Sequence, residues 1–184
     1  MNQKTKSLLK ALEKTCSLYW NIPPETGQFL NLLIKESNYK NILEIGTSNG
    51  YSGTWLAEAL KSTKGHLFTI ESHKKDRYYL AQKNFKESGL AKYITQILGH
   101  APQAIPMLPR HFDMAFFDAT KEEYLSYFNA IKNRIKKGGV IAADNVYSHR
   151  NQLQNFLKAI KSDKNWLSYE LPLGGGLLLS FKIH

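Results

Sequence analysis

Asn41-Ile-Leu-Glu-Ile-Gly-Thr-Ser-Asn-Gly-Tyr-Ser52 joins a short β-branched run to helix-forming sequence through two glycines four positions apart. The run predicts a buried strand from Asn41 to Ile45, and the apolar spacing from Tyr51 to Leu60 predicts a helix. Glycines at such a junction let the chain turn sharply and bring its backbone close to a ligand.

The same alternation extends outward from this junction. Strand-like runs recur at His66 to Ile70, Tyr93 to Leu98, Phe112 to Phe117 and Val140 to Ala143. Between and after them, Arg77 to Phe85, Tyr124 to Ile135 and Leu153 to Ile160 carry helical spacing. Strand followed by helix, repeated, implies parallel strands joined by right-handed crossovers, with helices on both faces. The carboxyl end breaks this rhythm, because only Pro172 to Gly175 separates Trp166 to Leu171 from Leu177 to Ile183. So short a link cannot carry a parallel crossover. The expected fold is α/β, doubly wound and Rossmann-like: a mostly parallel seven-stranded sheet ending in an antiparallel hairpin. Pro102, Pro106 and Pro109 exclude a long helix between Gly99 and Arg110, where a short helix within a loop is expected.

The 184 residues fit one domain, 1–184, with 42% apolar and 22% charged residues, a composition that builds a packed core. Residues 1–22 interleave Lys4, Lys6, Lys10 and Lys14 with Leu8, Leu9 and Leu12, which predicts an amphipathic N-terminal helix leading into a short lid. No apolar run approaches the ~20 residues that span a bilayer, so no membrane partner is expected. The lone Cys16 has no disulfide partner, and a cytoplasmic location is the simplest expectation. The net charge of +10 sets up a field that attracts anions, although scattered lysines on solvated faces explain it equally well.

Glu71 stands 25 positions after Gly46 at the end of the second strand, where a carboxylate can accept hydrogen bonds from both hydroxyls of a ribose. The turn lacks the Gly-x-Gly-x-x-Gly pattern of pyrophosphate binding and the Lys-Ser or Lys-Thr of a P-loop. A nucleoside cofactor without phosphates fits what is left. Asp118 and Asp144-Asn145 end the fourth and fifth strands, on the side where open parallel sheets bind ligands. Such oxygen donors suit Mg²⁺, Mn²⁺ or Ca²⁺. By spacing alone, Asp118 serves equally well as a helix cap and Asp144-Asn145 as a turn pair.

Four segments in order resemble the cation-dependent O-methyltransferases typified by the catechol and caffeoyl-coenzyme A enzymes. They are Asn41 to Ser52, Phe68-Thr-Ile-Glu-Ser72, Phe112-Asp-Met-Ala-Phe-Phe-Asp-Ala-Thr-Lys121 and Gly138-Gly-Val-Ile-Ala-Ala-Asp-Asn-Val146. The resemblance implies S-adenosylmethionine as cofactor. Glu44, Gly46, Ser48, Gly50, Tyr51 and Ser52 would hold its methionine part, Glu71 its ribose, and Ala101 would lie at the adenine, with Asp118 near the sulfonium. It also implies Asp118, Asp144 and Asn145 as ligands of Mg²⁺ and Lys121 as the base that deprotonates the acceptor hydroxyl.

The acceptor implied is a small vicinal diol or phenol. A bacterial branch of the same family methylates a hydroxylated wobble uridine in transfer RNA, which the basic charge would suit. Thr120 stands where the animal catechol enzymes place a Trp beside the base. Tyr147, His149 and Arg150 follow the metal pair and take no assigned role. A homodimer is one expected state, since the family includes dimers. A nicotinamide-dependent oxidoreductase and a non-catalytic nucleoside sensor are the readings from other classes.

Overall fold

A computed structural model describes residues 1–184, with every side chain except that of Lys75. The strands are β1 (Asn41–Ile45), β2 (His66–Glu71), β3 (Ile94–Leu98), β4 (Phe112–Phe117), β5 (Ile135–Ala143), β6 (Trp166–Leu171) and β7 (Leu177–Lys182). They form one seven-stranded sheet in the order β3-β2-β1-β4-β5-β7-β6. The first five are parallel, and β7 inserts antiparallel between β5 and β6. The expected doubly wound sheet with its terminal hairpin is the observed one.

Period-two burial along the strands feeds two cores. Leu43, Ile45, Ala115 and Phe117 face α7 (Tyr124–Ile131) and α8 (Arg150–Ser162). Ile42, Met114 and Phe116 face α1 (Gln3–Glu13), α3 (Pro24–Glu36) and α4 (Tyr51–Thr63). The first core is aromatic at its centre, where the Phe156 ring of α8 meets those of Phe117, Tyr124 and Phe128 at 5.7–6.1 Å.

The larger departures from the sequence expectations have local causes. Residues Pro24–Glu36 form a helix that the strand-and-helix alternation did not include; Pro24 opens it, at a position where a missing N–H costs nothing. The helix expected to reach Ile135 stops at Ile131, because Arg134 turns away to donate to the carbonyls of Ile105 and Leu108, while Ile135 pairs with Phe112. β5 therefore starts earlier than Val140 and takes up a register shift opposite Phe112 and Met114. Arg77 belongs to a π-helical turn, Lys74–Tyr78, ahead of α5 (Tyr79–Ser88). The Pro-rich segment holds α6 (Ala101–Ala104) and a 3₁₀ turn, Ile105–Met107, as its prolines require. Short α2 (Cys16–Tyr19) follows α1 in the N-terminal segment.

Phe156 is 1% exposed, so Phe156→Ala leaves a void that its aromatic neighbours cannot fill. The variant is expected to lose about 3–5 kcal/mol of unfolding free energy in urea titration; a loss below about 1 kcal/mol would mean that the core closes over the gap.

Candidate active site

The strand order reverses between β1 and β4, and the two chain ends leaving that switch point touch. Gly46 has φ +102°, and a Cβ there would lie 2.2 Å from the carbonyl oxygen of Asp118. Only glycine permits both the conformation and the approach. Backbone hydrogen bonds continue the ladder one residue past each strand: Gly46 N–H to Ile70 O, Asp118 N–H to Ile45 O, and Asp144 N–H to Phe117 O, at 3.0–3.1 Å. Asp118 and Asp144 are thereby fixed by the sheet itself.

A cavity of about 570 Å³ opens above these ends. Of the residues assigned from sequence, Gly46, Ser48, Glu71, Ala101, Asp118, Lys121 and Asn145 line it. Ser48 takes a left-handed conformation, φ 49°, and donates its N–H to Glu71 Oε2 at 2.8 Å. The N–H of His73 donates to Glu71 Oε1, also at 2.8 Å. Two backbone donors thus orient a buried carboxylate at the cavity wall.

Glu44, Gly50, Tyr51, Ser52 and Asp144 are not among the residues that line the cavity and lie behind its wall. Helix α4 begins at Tyr51, and the side chains of Tyr51 and Ser52 find partners within the fold. Tyr51 donates its hydroxyl to Glu13 of α1 at 3.1 Å. Ser52 donates to Glu44 Oε1 at 2.6 Å, and Thr69 donates to Glu44 Oε2 at 2.6 Å while accepting from Thr47. Gly50, at φ +84°, caps the helix against Phe85. These residues support the turn from behind.

Lys121 opens a 3₁₀ turn, Lys121–Glu123, and its Nζ donates to Asp118 Oδ1 at 2.9 Å and to the Tyr124 hydroxyl at 3.2 Å. Asp144 is 3% exposed and its Oδ1 has no hydrogen-bond partner. Burial first, and the neighbouring Asp118 charge second, raise the Asp144 carboxyl well above the usual carboxylate range. Asn145 has φ 68°, and its amide nitrogen donates to Ser148 Oγ at 3.3 Å, leaving the amide oxygen for another contact.

Sequence reasoning missed the far wall. Tyr19 and Trp20 reach the cavity from the N-terminal segment, and Arg77 from the π turn. His100, Glu123 and Tyr127 line it too: the imidazole Nε2 lies 2.9 Å from the Glu123 carboxylate, to which Tyr127 donates at 2.6 Å. They come from several elements, so no local pattern announces them. His149 lines the cavity, whereas Arg150 pairs with Glu170 at 2.8 Å outside it.

Glu44 is wholly buried, and desolvation pushes its carboxyl from the ordinary 4.5 up to about 7 against the opposing hydrogen bonds of Ser52 and Thr69. Between those two values the folded protein keeps a proton that the unfolded chain has lost, so stability falls as pH rises through the window and levels off above it. Glu44→Gln is expected to remove that component, roughly 3 kcal/mol, from the difference in urea stability between about pH 5 and about pH 8. Equal pH dependence in the two proteins would show that Glu44 is ionised throughout.

The family model for O-methyltransferases matches residues 2–183. A catechol O-methyltransferase of Niastella koreensis is 39% identical over 130 residues, covering 68% of this chain and 58% of that enzyme, so the match spans less than two thirds of the relative. A caffeoyl-CoA O-methyltransferase of Mesembryanthemum crystallinum is 31% identical over 191 residues, covering 89% of this chain and 74% of that enzyme. Among solved structures, an O-methyltransferase from Bacillus cereus in complex with S-adenosylhomocysteine gives a TM-score of 0.85 at 24% identity, over 99% of this chain and 91% of that one. The O-methyltransferase TomG from Streptomyces achromogenes, in complex with S-adenosylmethionine, gives 0.87 at 25% identity, over 100% and 91%. Profile, relatives and fold agree that this chain belongs to the S-adenosylmethionine-dependent O-methyltransferase family.

Proposed function

We propose that the chain methylates a hydroxyl of a small vicinal diol or phenol, using Lys121 as base and a divalent cation, Mg²⁺ by preference, held by Asp118, Asp144 and Asn145. The observation that carries this reading is the orphaned Asp144 Oδ1, a buried carboxylate oxygen with no donor, under the influence of a second carboxylate, Asp118, and next in sequence to Asn145. An unpaired buried charge is costly, and a hard cation relieves that cost with the oxygen ligands such ions prefer. Among the described residues no three His, Cys, Asp or Glu side chains gather as a metal site, so the trio depends on its amide member.

Glu71 and the N–H groups around it suit a ribose diol, and the cavity edge at Ala101 suits the adenine. The carboxylate of Asp118 faces the same space and favours a sulfonium nearby. A bound cation would supply Lewis acidity toward the acceptor hydroxyl. Lys121, in its neutral amine form, takes the hydroxyl proton from its place on the cavity wall beside Asp118 and Tyr124 and becomes the ammonium. The oxygen then forms its bond to the methyl carbon as the sulfur–methyl bond breaks, and the electron pair stays on the now neutral thioether. The chain's contribution is alignment of the two reactants and placement of charge.

A second reading, a hydroxylated wobble uridine in transfer RNA as acceptor, is favoured by the net charge of +10. Incubation with radiolabelled S-adenosylmethionine and either a catechol or transfer RNA lacking the modification separates the two: label in the catechol supports the first, and label in RNA alone replaces it with the second.

Lys121→Ala is expected to lower kcat by about 10²- to 10⁴-fold while S-adenosylhomocysteine affinity holds, and unchanged kcat would remove the lysine from proton transfer. Exhaustive chelation should abolish turnover and added Mg²⁺ restore it; turnover that survives chelation would rule out the cation.

A further inference from the structure

Four contacts and two stretches of backbone close a ring around the mouth of the cavity. Glu71 Oε2 accepts from Ser48 N–H, and Ser48 Oγ donates to the Tyr19 carbonyl at 3.0 Å. The next residue, Trp20, places its ring 5.2 Å from the guanidinium carbon of Arg77. Arg77 sits in the turn that leads back along the chain to His73, whose N–H donates to Glu71 Oε1. The ring therefore begins and ends on the carboxylate assigned to the ribose.

Its Trp20 segment is held in an unusual way. Trp20 caps α2 in the left-handed region, φ 52°, a position that glycine commonly fills and that strains a bulky residue. Its side chain is 72% exposed, so burial in a core does not account for it. Both Trp20 and Arg77 line the cavity. A strained, exposed aromatic residue facing a ligand space, stacked on a cation from the opposite wall, fits a role in holding the ligand.

We infer that Trp20 and Arg77 are positioning residues that retain the cofactor: their contact is the one link of the ring made without a backbone group, and it is the link that loosens when the nucleoside enters or leaves. Ser48 and Tyr19 connect that contact to Glu71. This rests on the cofactor reading above, so binding is measured first. Calorimetry with S-adenosylhomocysteine on the wild-type protein decides that reading, and absence of binding would sink both.

Given binding, the test is the release of tritiated S-adenosylmethionine into an excess of unlabelled S-adenosylhomocysteine. Arg77→Ala and Trp20→Ala are each expected to speed release about three- to five-fold, with association changed less, as loss of one exposed cation–aromatic contact implies. Arg77→Lys keeps a cation over the ring and should restore most of the retention. The double variant should release no faster than either single one, because both remove the same contact. Wild-type release rates in the single variants, no rescue by Arg77→Lys, or additive effects in the double variant would each overturn the inference.

Discussion

The contact between Gly46 and the Asp118 carbonyl is the constraint on which the rest of the site depends. It brings the ends of β1 and β4 closer than any side chain would allow. On one side of it the chain runs into the Ser48 and Glu71 wall, and on the other into Asp118 and Lys121. A residue with a Cβ at position 46 would force these walls apart, and the cavity between them would lose its shape. The parallel ladder holds the approach in place, since Gly46 and Asp118 both continue its hydrogen bonding.

The price of this convergence is a concentration of carboxylates in one poorly solvated place. Glu44, Asp118 and Asp144 all lie at or beneath the strand ends, and burial pushes two of them toward the neutral form. Hydrogen bonds answer the problem at Glu44, where Ser52 and Thr69 each donate. At Asp144 the protein supplies no donor to Oδ1. The same chemical group is thus fully hydrogen-bonded in one place and left with an unpartnered oxygen in the other, and the difference lies in whether neighbouring hydroxyls reach it.

Much of this was legible in the sequence because strand ends are local features. Gly46, Glu71, Asp118 and Asp144 each sit at the end of an apolar run, and their meeting follows from parallel topology alone. The reversal at Pro172 to Gly175 gave the antiparallel hairpin for the same reason. What could not be read was which partners the first turn of α4 would find, where Tyr51 reaches Glu13 of α1 and Ser52 reaches Glu44 of β1. The helix Pro24–Glu36 carried a signal in Pro24 and in the spacing of Leu30, Leu33 and Ile34, but strand–helix alternation draws attention away from a helix that precedes the first strand. Trp20, Arg77 and His100 had no signal, because their proximity is a property of the packed fold and not of any one segment.

The turn between β6 and β7 also buttresses the loop that carries Asn145. Gly175 accepts the N–H groups of Tyr147 and Ser148 at 2.9 Å, Gly176 accepts that of Val146 at 3.0 Å, and a Cβ on Gly175 would strike the Asn145 amide. Because β7 slots between β5 and β6, these bonds join residues far apart in the chain and form only once the last strand has docked. During synthesis from the amino end, the cofactor turn can therefore assemble on β1, β2 and β4 well before Asn145 is braced. The Gly46 turn and the Asn145 loop thus depend on parts of the chain that are made at different times.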